Sequence, residues 1–414
     1  DVLGSRGLGD VYKRQDIIIA LLVVVYVLGQ NILYLVPVNN NYNLMAYIML
    51  ALLAGYAICV GNGLKIEKSG FTLLMLSPFV LSLLAAAVEV VLYRDASLIT
   101  SFRRQMQWWI YGFAYFVFQY VLNRSDKAYV KILRSFIMIA IIQLMIGIAQ
   151  YIKSDTIFTY APMTKRLGSI RFYFPIVLMV FAYFWALNLF LNKKKRVASL
   201  IVMIAVLFEA MFVQQFRSTL MGILISTVVG FMLWKNVSYK KIGVFLVACI
   251  GAYIVYLNTP FLQQSIEYLL NGDTSLDVRH YLIDFILENA ETKWLFGAGW
   301  VSSPMAYEYA STPYRVHINW GVFAFADGGI FSILYSYGLF GVLWVVALWG
   351  CILKKAWTLF VKKNNYFYLL FPLYQVATMY IDIHWYIHDQ FFVMAMFCAL
   401  LDYETKICDV EVRE

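Results

Sequence analysis

FYFPIVLMVFAYFWALNLFLN, from Phe172 to Asn192, runs without an acidic or basic residue and is followed at once by Lys193-Lys194-Lys195-Arg196. About 20 consecutive apolar residues match the hydrocarbon thickness of a bilayer when helical. A basic cluster directly after such a run marks the cytoplasmic end of a membrane helix. The same grammar extends outward in both directions. The chain has 414 residues, 62% of them hydrophobic and 14% charged, and a mean hydropathy of +0.71. No soluble domain has that balance; an all-α, polytopic integral membrane protein does.

Applied along the chain, the length criterion gives about twelve transmembrane helices: 16–37, 44–61, 71–93, 108–122, 129–152, 172–192, 198–215, 218–234, 242–258, 329–352, 366–382 and 388–402. Residues 1–15 do not begin with Met, lack an apolar core and read as a non-native leader rather than a signal peptide. Nine spans then fill 16–258, a mostly polar extracytoplasmic loop covers 259–328, three spans fill 329–402, and 403–414 is a cytoplasmic tail. No internal repeat stands out. The five cysteines (Cys59, Cys249, Cys351, Cys398 and Cys408) fall in apolar segments or the tail, so neither a disulfide framework nor a zinc spacing is predicted.

Charge sets the orientation. Lys65 and Lys68, the basic residues between Arg124 and Arg134, Lys193 to Arg196, Lys235 to Lys241, and Lys354 to Lys363 all fall on one side of a twelve-span chain, which is therefore cytoplasmic together with both termini. The net charge of +9 is explained by these loops and calls for no nucleic acid. Of these seventeen inner basic residues fourteen are Lys; of the eleven on the outer side eight are Arg. Arg has a planar fork that grips phosphate or carboxylate through two parallel hydrogen bonds. Its enrichment where positive charge is disfavoured predicts an anionic ligand, against the plainer reading of scattered headgroup contacts.

Arg217 opens a span directly after Gln214-Gln215-Phe216 and lies too close to the membrane to sit in a free loop. It faces either an anion or the interface, and Glu209, two turns earlier, is a candidate partner. Arg166 and Arg171 stand in the preceding outer loop. In the long loop, Thr274-Ser275-Leu276-Asp277 reads as a helix start. Val278, Tyr281, Leu282, Phe285 and Ile286 then recur at helical spacing, predicting an amphipathic helix to about Glu291 with Arg279 in its first turn, on its polar side; the same loop holds His280. Acidic neighbours make ion pairing the plainer role for Arg279. Gly297 and Gly299 in Leu295-Phe296-Gly297-Ala298-Gly299-Trp300 predict a tight backbone turn, with Trp300 and nearby tyrosines as either sugar-stacking or interfacial rings. Arg315, His317 and Asp327 close the loop. His317 or Asp327 has the chemistry to take a proton from an attacking hydroxyl, while Asp327 is equally placed to cap the next helix. His384 and His388, four residues apart beside Asp382 and Asp389, have helical metal-ligand spacing but no defined third ligand.

Together these residues make the chain resemble the O-antigen polymerase and ligase superfamily, multi-span bacterial glycosyltransferases of the GT-C type. The shared features are Phe216-Arg217-Ser218 opening a span, one long external loop with the early Arg279, the Gly297-x-Gly299 turn, and a closing polar residue, Asp327, with glycines 11 and 14 residues later at Gly338 and Gly341. Ligases of this superfamily carry His at the closing position. Asp327-Gly328 here looks like the repeat-unit polymerases of capsule and exopolysaccharide clusters. The resemblance implies a bacterial cytoplasmic-membrane enzyme that joins undecaprenyl-diphosphate-linked oligosaccharide repeats at the outer leaflet. It implies Arg217 and Arg279 at the diphosphate, with Arg166, Arg171, Arg315, Gly297, Gly299 and Trp300 around the substrate and Asp327 or His317 at the acceptor. It also implies no nucleotide or metal cofactor, and a flippase and a chain-length regulator as partners. A ligase handing glycan to a lipid or wall acceptor uses the same parts. A flippase or other transporter predicts symmetric halves and midplane charges instead.

Overall fold

The structure is a computed structural model. It describes residues 2–29, 40–61, 69–92, 97–125, 127–156, 163–166, 169–234, 263, 280, 282–284, 286–288, 291, 293–299, 328–380, 383–386 and 390–411. The described chain is mostly helical. In order it forms α1 (Val2–Gly29), α2 (Asn40–Gly55), α3 (Gly70–Leu92), α4 (Leu98–Gly112), α5 (Ala114–Leu122), α6 (Ala128–Lys153), α7 (Val177–Leu191), α8 (Arg196–Phe208), α9 (Arg217–Leu233), α10 (Gly329–Lys363), α11 (Tyr366–Thr378) and α12 (Gln390–Glu411). Among the described residues, four helical stretches are long and apolar enough to cross a membrane: Gly70–Leu92, Ala128–Lys153, Arg196–Val213 and Gly329–Lys363. They fall where the sequence placed spans 71–93, 129–152, 198–215 and 329–352. The apolar stretches in α1, α2, α4–α5, α7 and α9 are shorter. The run at 242–258 lies outside the described residues.

Burial separates the helices into inner and outer ones. Phe391 to Leu401 of α12 are fully buried on every side, and α7 is nearly so. By contrast α3 turns Leu73 (73% exposed), Val80 (60%) and Val91 (83%) outward, and α8 turns out Val197, Ile201 and Ile204. Apolar faces of this extent fit hydrocarbon rather than water. Pro78 sits inside α3 and has no N–H for the carbonyl of Leu74. The indole N–H of Trp344 on α10 donates to that carbonyl at 2.9 Å, so the proline defect becomes a helix–helix contact.

Several helices run past their apolar stretches. The sequence ended one span at 352 and began a polar tail at 403; α10 continues to Lys363 and α12 to Glu411. The reason is charge pairing between them: Lys355 with Asp402, Lys362 with Asp409 at 3.1 Å, and Lys363 with Glu404 at 3.7 Å. Asp402 is buried. Its carboxylate also accepts hydrogen bonds from Gln119 (2.9 Å) and Tyr115 (3.3 Å). This network ties α5, α10 and α12 together at the lysine-bearing end of the bundle.

The expected span at 108–122 divides at Phe113 into the end of α4 and all of α5. Helix α1 begins at Val2 and is continuous through the residues read as a leader. Within the long loop the described residues 280, 282–284, 286–288, 291 and 293 are helical. Leu282 and Ile286, two of the positions predicted to be apolar, face inward there together with Ile283, and His280, Asp284, Leu287 and Glu288 face outward; Val278, Tyr281 and Phe285 lie outside the described residues.

Removing one partner of a buried ion pair typically costs about 3 kcal/mol, an upper bound here because Lys406 also lies 3.7 Å from the Asp402 carboxylate. Lys355→Met is therefore expected to lower the thermal midpoint of the detergent-purified protein, whereas Lys362→Met, at an exposed pair, leaves it unchanged. Equal midpoints for both variants would contradict the structural role given to Asp402.

Candidate functional site

One end of the bundle gathers the unusual local geometry. Between α6 and α7 the chain forms an antiparallel hairpin, β1 (Met163–Arg166) and β2 (Ser169–Phe172), with Thr164 opposite Arg171 and Arg166 opposite Ser169. The register puts positions 166 and 171 on the same face of the hairpin. Arg171 is buried. Its guanidinium lies over the Tyr173 ring at 4.4 Å and the Phe216 ring at 4.6 Å, and its Nε–H donates to the carbonyl of Gln214. An arginine held against two aromatic rings and tied to a carbonyl is restricted in orientation. Phe216 is the residue immediately before Arg217, which opens α9 and is half-buried. The structure thus brings Arg171, from one predicted outer segment, to the Phe216-Arg217 corner of another.

The chain leading into that corner is irregular from Glu209 to Phe216. After α8 the chain widens into a π-helical turn, Glu209–Val213, a form that concentrates at functional positions. The N–H of Gln214 reaches the Glu209 carbonyl (2.8 Å) and the N–H of Phe216 reaches that of Ala210 (3.0 Å). Gln215 has φ +55°, a left-handed conformation that costs a residue with a Cβ free energy. Glu209 is fully buried. Its carboxyl lies against Gly147 of α6, where any Cβ would collide with it. The Gln214 side-chain amide donates to Glu209 Oε1 at 3.4 Å, so Gln214, not Arg217, is the partner of this carboxyl. Glu209 Oε2, Gln143 Oε1 and Gln214 Oε1 are buried oxygens that meet no donor among the described residues. Gln143 uses its amide N–H on the carbonyl of Pro175 (2.9 Å), fixing α6 to the approach of α7.

The Gly297-Ala298-Gly299 turn is the tight turn predicted, with φ +75° and +79° at the glycines. It seats on α10. At Gly338 that helix breaks, with φ 59° and ψ −150°. The Ala298 N–H donates to the Tyr335 carbonyl (2.6 Å), and the Leu339 N–H donates to the Trp294 carbonyl (2.8 Å). A Cβ on Gly297 would come within 2.7 Å of the Gly338 nitrogen, and one on Gly299 within 2.8 Å of the Ala85 carbonyl on α3. Both glycines are needed for close backbone approach, and the glycine 11 residues after Asp327 is the point of contact.

Arg279, Trp300, Arg315, His317 and Asp327 lie outside the described residues, as do Asp382, His388 and Asp389. The backbone of Arg166 is described, in β1. His384 begins a 3-10 turn, His384–Tyr386, whose Trp385 and Tyr386 are buried anchors. The N-cap of α10 is Gly328, which follows Asp327 in the chain. Ile286 packs 3.2 Å from the Cβ position of Gly328, which brings the loop helix to the start of α10. Among the described residues no three His, Cys, Asp or Glu side chains gather to hold a metal ion. No protein-family model matches the chain, and no curated protein matches it.

Sequence reasoning missed the hairpin and the aromatic clamp. Adjacent glutamines in an apolar run, Gln214-Gln215, were the one visible signal of the irregular corner.

Gly297→Ala and Gly338→Ala each place a Cβ against backbone at positive φ, a strain of roughly 1–3 kcal/mol or more. Both are expected to lower the thermal midpoint of the purified protein. Gly350→Ala, where a Cβ meets nothing, leaves it unchanged or raises it. A stable Gly338→Ala protein would contradict the docking of the turn on the helix break.

Proposed function

We propose that this chain is a lipid-linked oligosaccharide polymerase of the cytoplasmic membrane. It would use about twelve spans, with both termini inside and residues 259–328 outside. The growing glycan moves from its polyprenyl diphosphate carrier to a hydroxyl of an incoming repeat. The observation that carries this reading is the contact of the Arg171 guanidinium with the ring of Phe216, the residue before Arg217 in the chain. Two arginines at one membrane face suit a diphosphate, whose negative charge grows as the glycosidic bond breaks.

In this mechanism the acceptor hydroxyl oxygen attacks the anomeric carbon. The bond from that carbon to the diphosphate oxygen breaks, and the electron pair leaves with the diphosphate. Arg171 and Arg217 receive that charge, joined by Arg279 and Arg315 of the loop. Asp327 or His317 takes the hydroxyl proton. Displacement from the opposite face inverts the anomeric configuration. Ile286 packs against Gly328; in sequence Arg279 precedes Ile286 by seven residues and Asp327 precedes Gly328 by one.

Purified protein given polyprenyl-diphosphate-linked oligosaccharide tests the proposal. Removing one preorganised donor to a developing anion costs roughly 100-fold in turnover, so Arg171→Ala and Arg217→Ala are each expected to abolish long-chain product. The Lys variants should recover little, because Lys lacks the bidentate fork. Unchanged chain length in both Ala variants, with normal membrane abundance, would overturn the assignment.

A further inference from the structure

The glycine turn has a second face. Opposite it, α3 presents Leu84, Ala87, Val88, Val91 and Leu92, a stripe at i, i+3, i+4, i+7 and i+8 that lies on one side of a helix. The other wall is the segment from Lys293 to Gly297. Between them is an open groove of about 420 Å³. Its floor is rigid, because Trp294 and Ala298 are bonded to the break in α10 and the Phe296 ring stacks on Phe340 with centroids 5.5 Å apart.

We propose that this groove holds one acyl chain of an anionic phospholipid, with the lipid phosphate against Lys293. Three observations select that occupant. The groove opens on the face that α3 turns outward, where Val91 is 83% exposed and Trp294 56%, so the hydrocarbon that covers this face also supplies the chain. Among the described residues the lining side chains are apolar apart from the Lys293 ammonium and the Trp294 indole N–H, which suits an acyl chain. The stripe from Leu84 to Leu92 is about 12 Å long, most of the roughly 15 Å of hydrocarbon in one leaflet, and Lys293 lies at the groove wall. Partial burial lowers the pKa of Lys293 from the ordinary lysine range. This site is independent of the proposed glycosyl transfer.

Native mass spectrometry of the detergent-purified full chain, titrated with phosphatidylglycerol and with phosphatidylcholine, tests the proposal. The wild type is expected to bind phosphatidylglycerol about five-fold more tightly, the effect of one basic residue near an anionic lipid. Lys293→Ala should erase the preference and Lys293→Arg keep it. Ala87→Trp, at an exposed wall position, should remove one bound lipid of either kind. Equal binding of the two lipids to the wild type would overturn the proposal, as would a preference that survives Lys293→Ala. Displacement of phosphatidylglycerol by equimolar undecaprenyl phosphate would assign the groove to a polyprenyl carrier and also overturn it.

Discussion

In an apolar surrounding no backbone N–H or carbonyl can stand unpaired, because water is not there to take its place. Helix α10 breaks that continuity at Gly338. In an uninterrupted helix the Leu339 N–H would meet the Tyr335 carbonyl. Here Leu339 donates to Trp294 and Tyr335 accepts from Ala298, so the segment from Lys293 to Gly299 completes the helix and the helix fixes the segment. Much of the surrounding arrangement follows from this exchange. Gly299 is brought onto α3 at Ala85 and Glu89. Phe296 is stacked on Phe340. Tyr337, one residue before the break, is turned inward to meet the hydroxyl of Tyr386 at 3.1 Å.

The two ends of the bundle differ in kind. At the lysine end, charges are matched: Asp402 has Lys355, Gln119 and Tyr115, and every contact there stiffens α5, α10 and α12. At the other end the chain tolerates costs. It carries a π-helical turn at Glu209–Val213, a left-handed Gln215, and a buried carboxyl pressed against Gly147 with a single amide donor. Strain and underbonded buried polar groups concentrate where proteins bind and react. The clamped Arg171 lies in the middle of these features.

The apolar helices were legible because hydropathy length is a direct consequence of bilayer thickness. α3, α6 and α9 begin and end within a residue or two of the runs that predicted them. Polar helix ends were not legible. Lys354 to Lys363 reads as loop until Asp402, Glu404 and Asp409 are seen across the interface, and pairing between distant segments leaves no local signature. The hairpin was hidden for another reason. Met163–Arg166 and Ser169–Phe172 are four residues each, too short for alternation to register against charged neighbours. At the site, Arg171 was named from residue type and predicted side of the membrane, and Arg217 also from its place at the opening of a span after Phe216. Their approach depends on Phe216 and Tyr173, rings that a sequence full of aromatics gives no reason to single out. Gly297 and Gly299 were recognised as a turn, but their packing partners, Gly338 and Ala85, belong to two other helices.

The central claim is that a diphosphate is received at the Arg171–Arg217 corner. A polyprenyl diphosphate bearing a photoreactive group next to its phosphates, cross-linked to the purified protein and mapped by peptide mass spectrometry, tests this directly. The account predicts labelling within residues 169–174 and 214–218, competed by unlabelled polyprenyl diphosphate. Labelling confined to the helix ends around Lys355 and Asp402, or spread without competition over the apolar faces of α3 and α8, would contradict it.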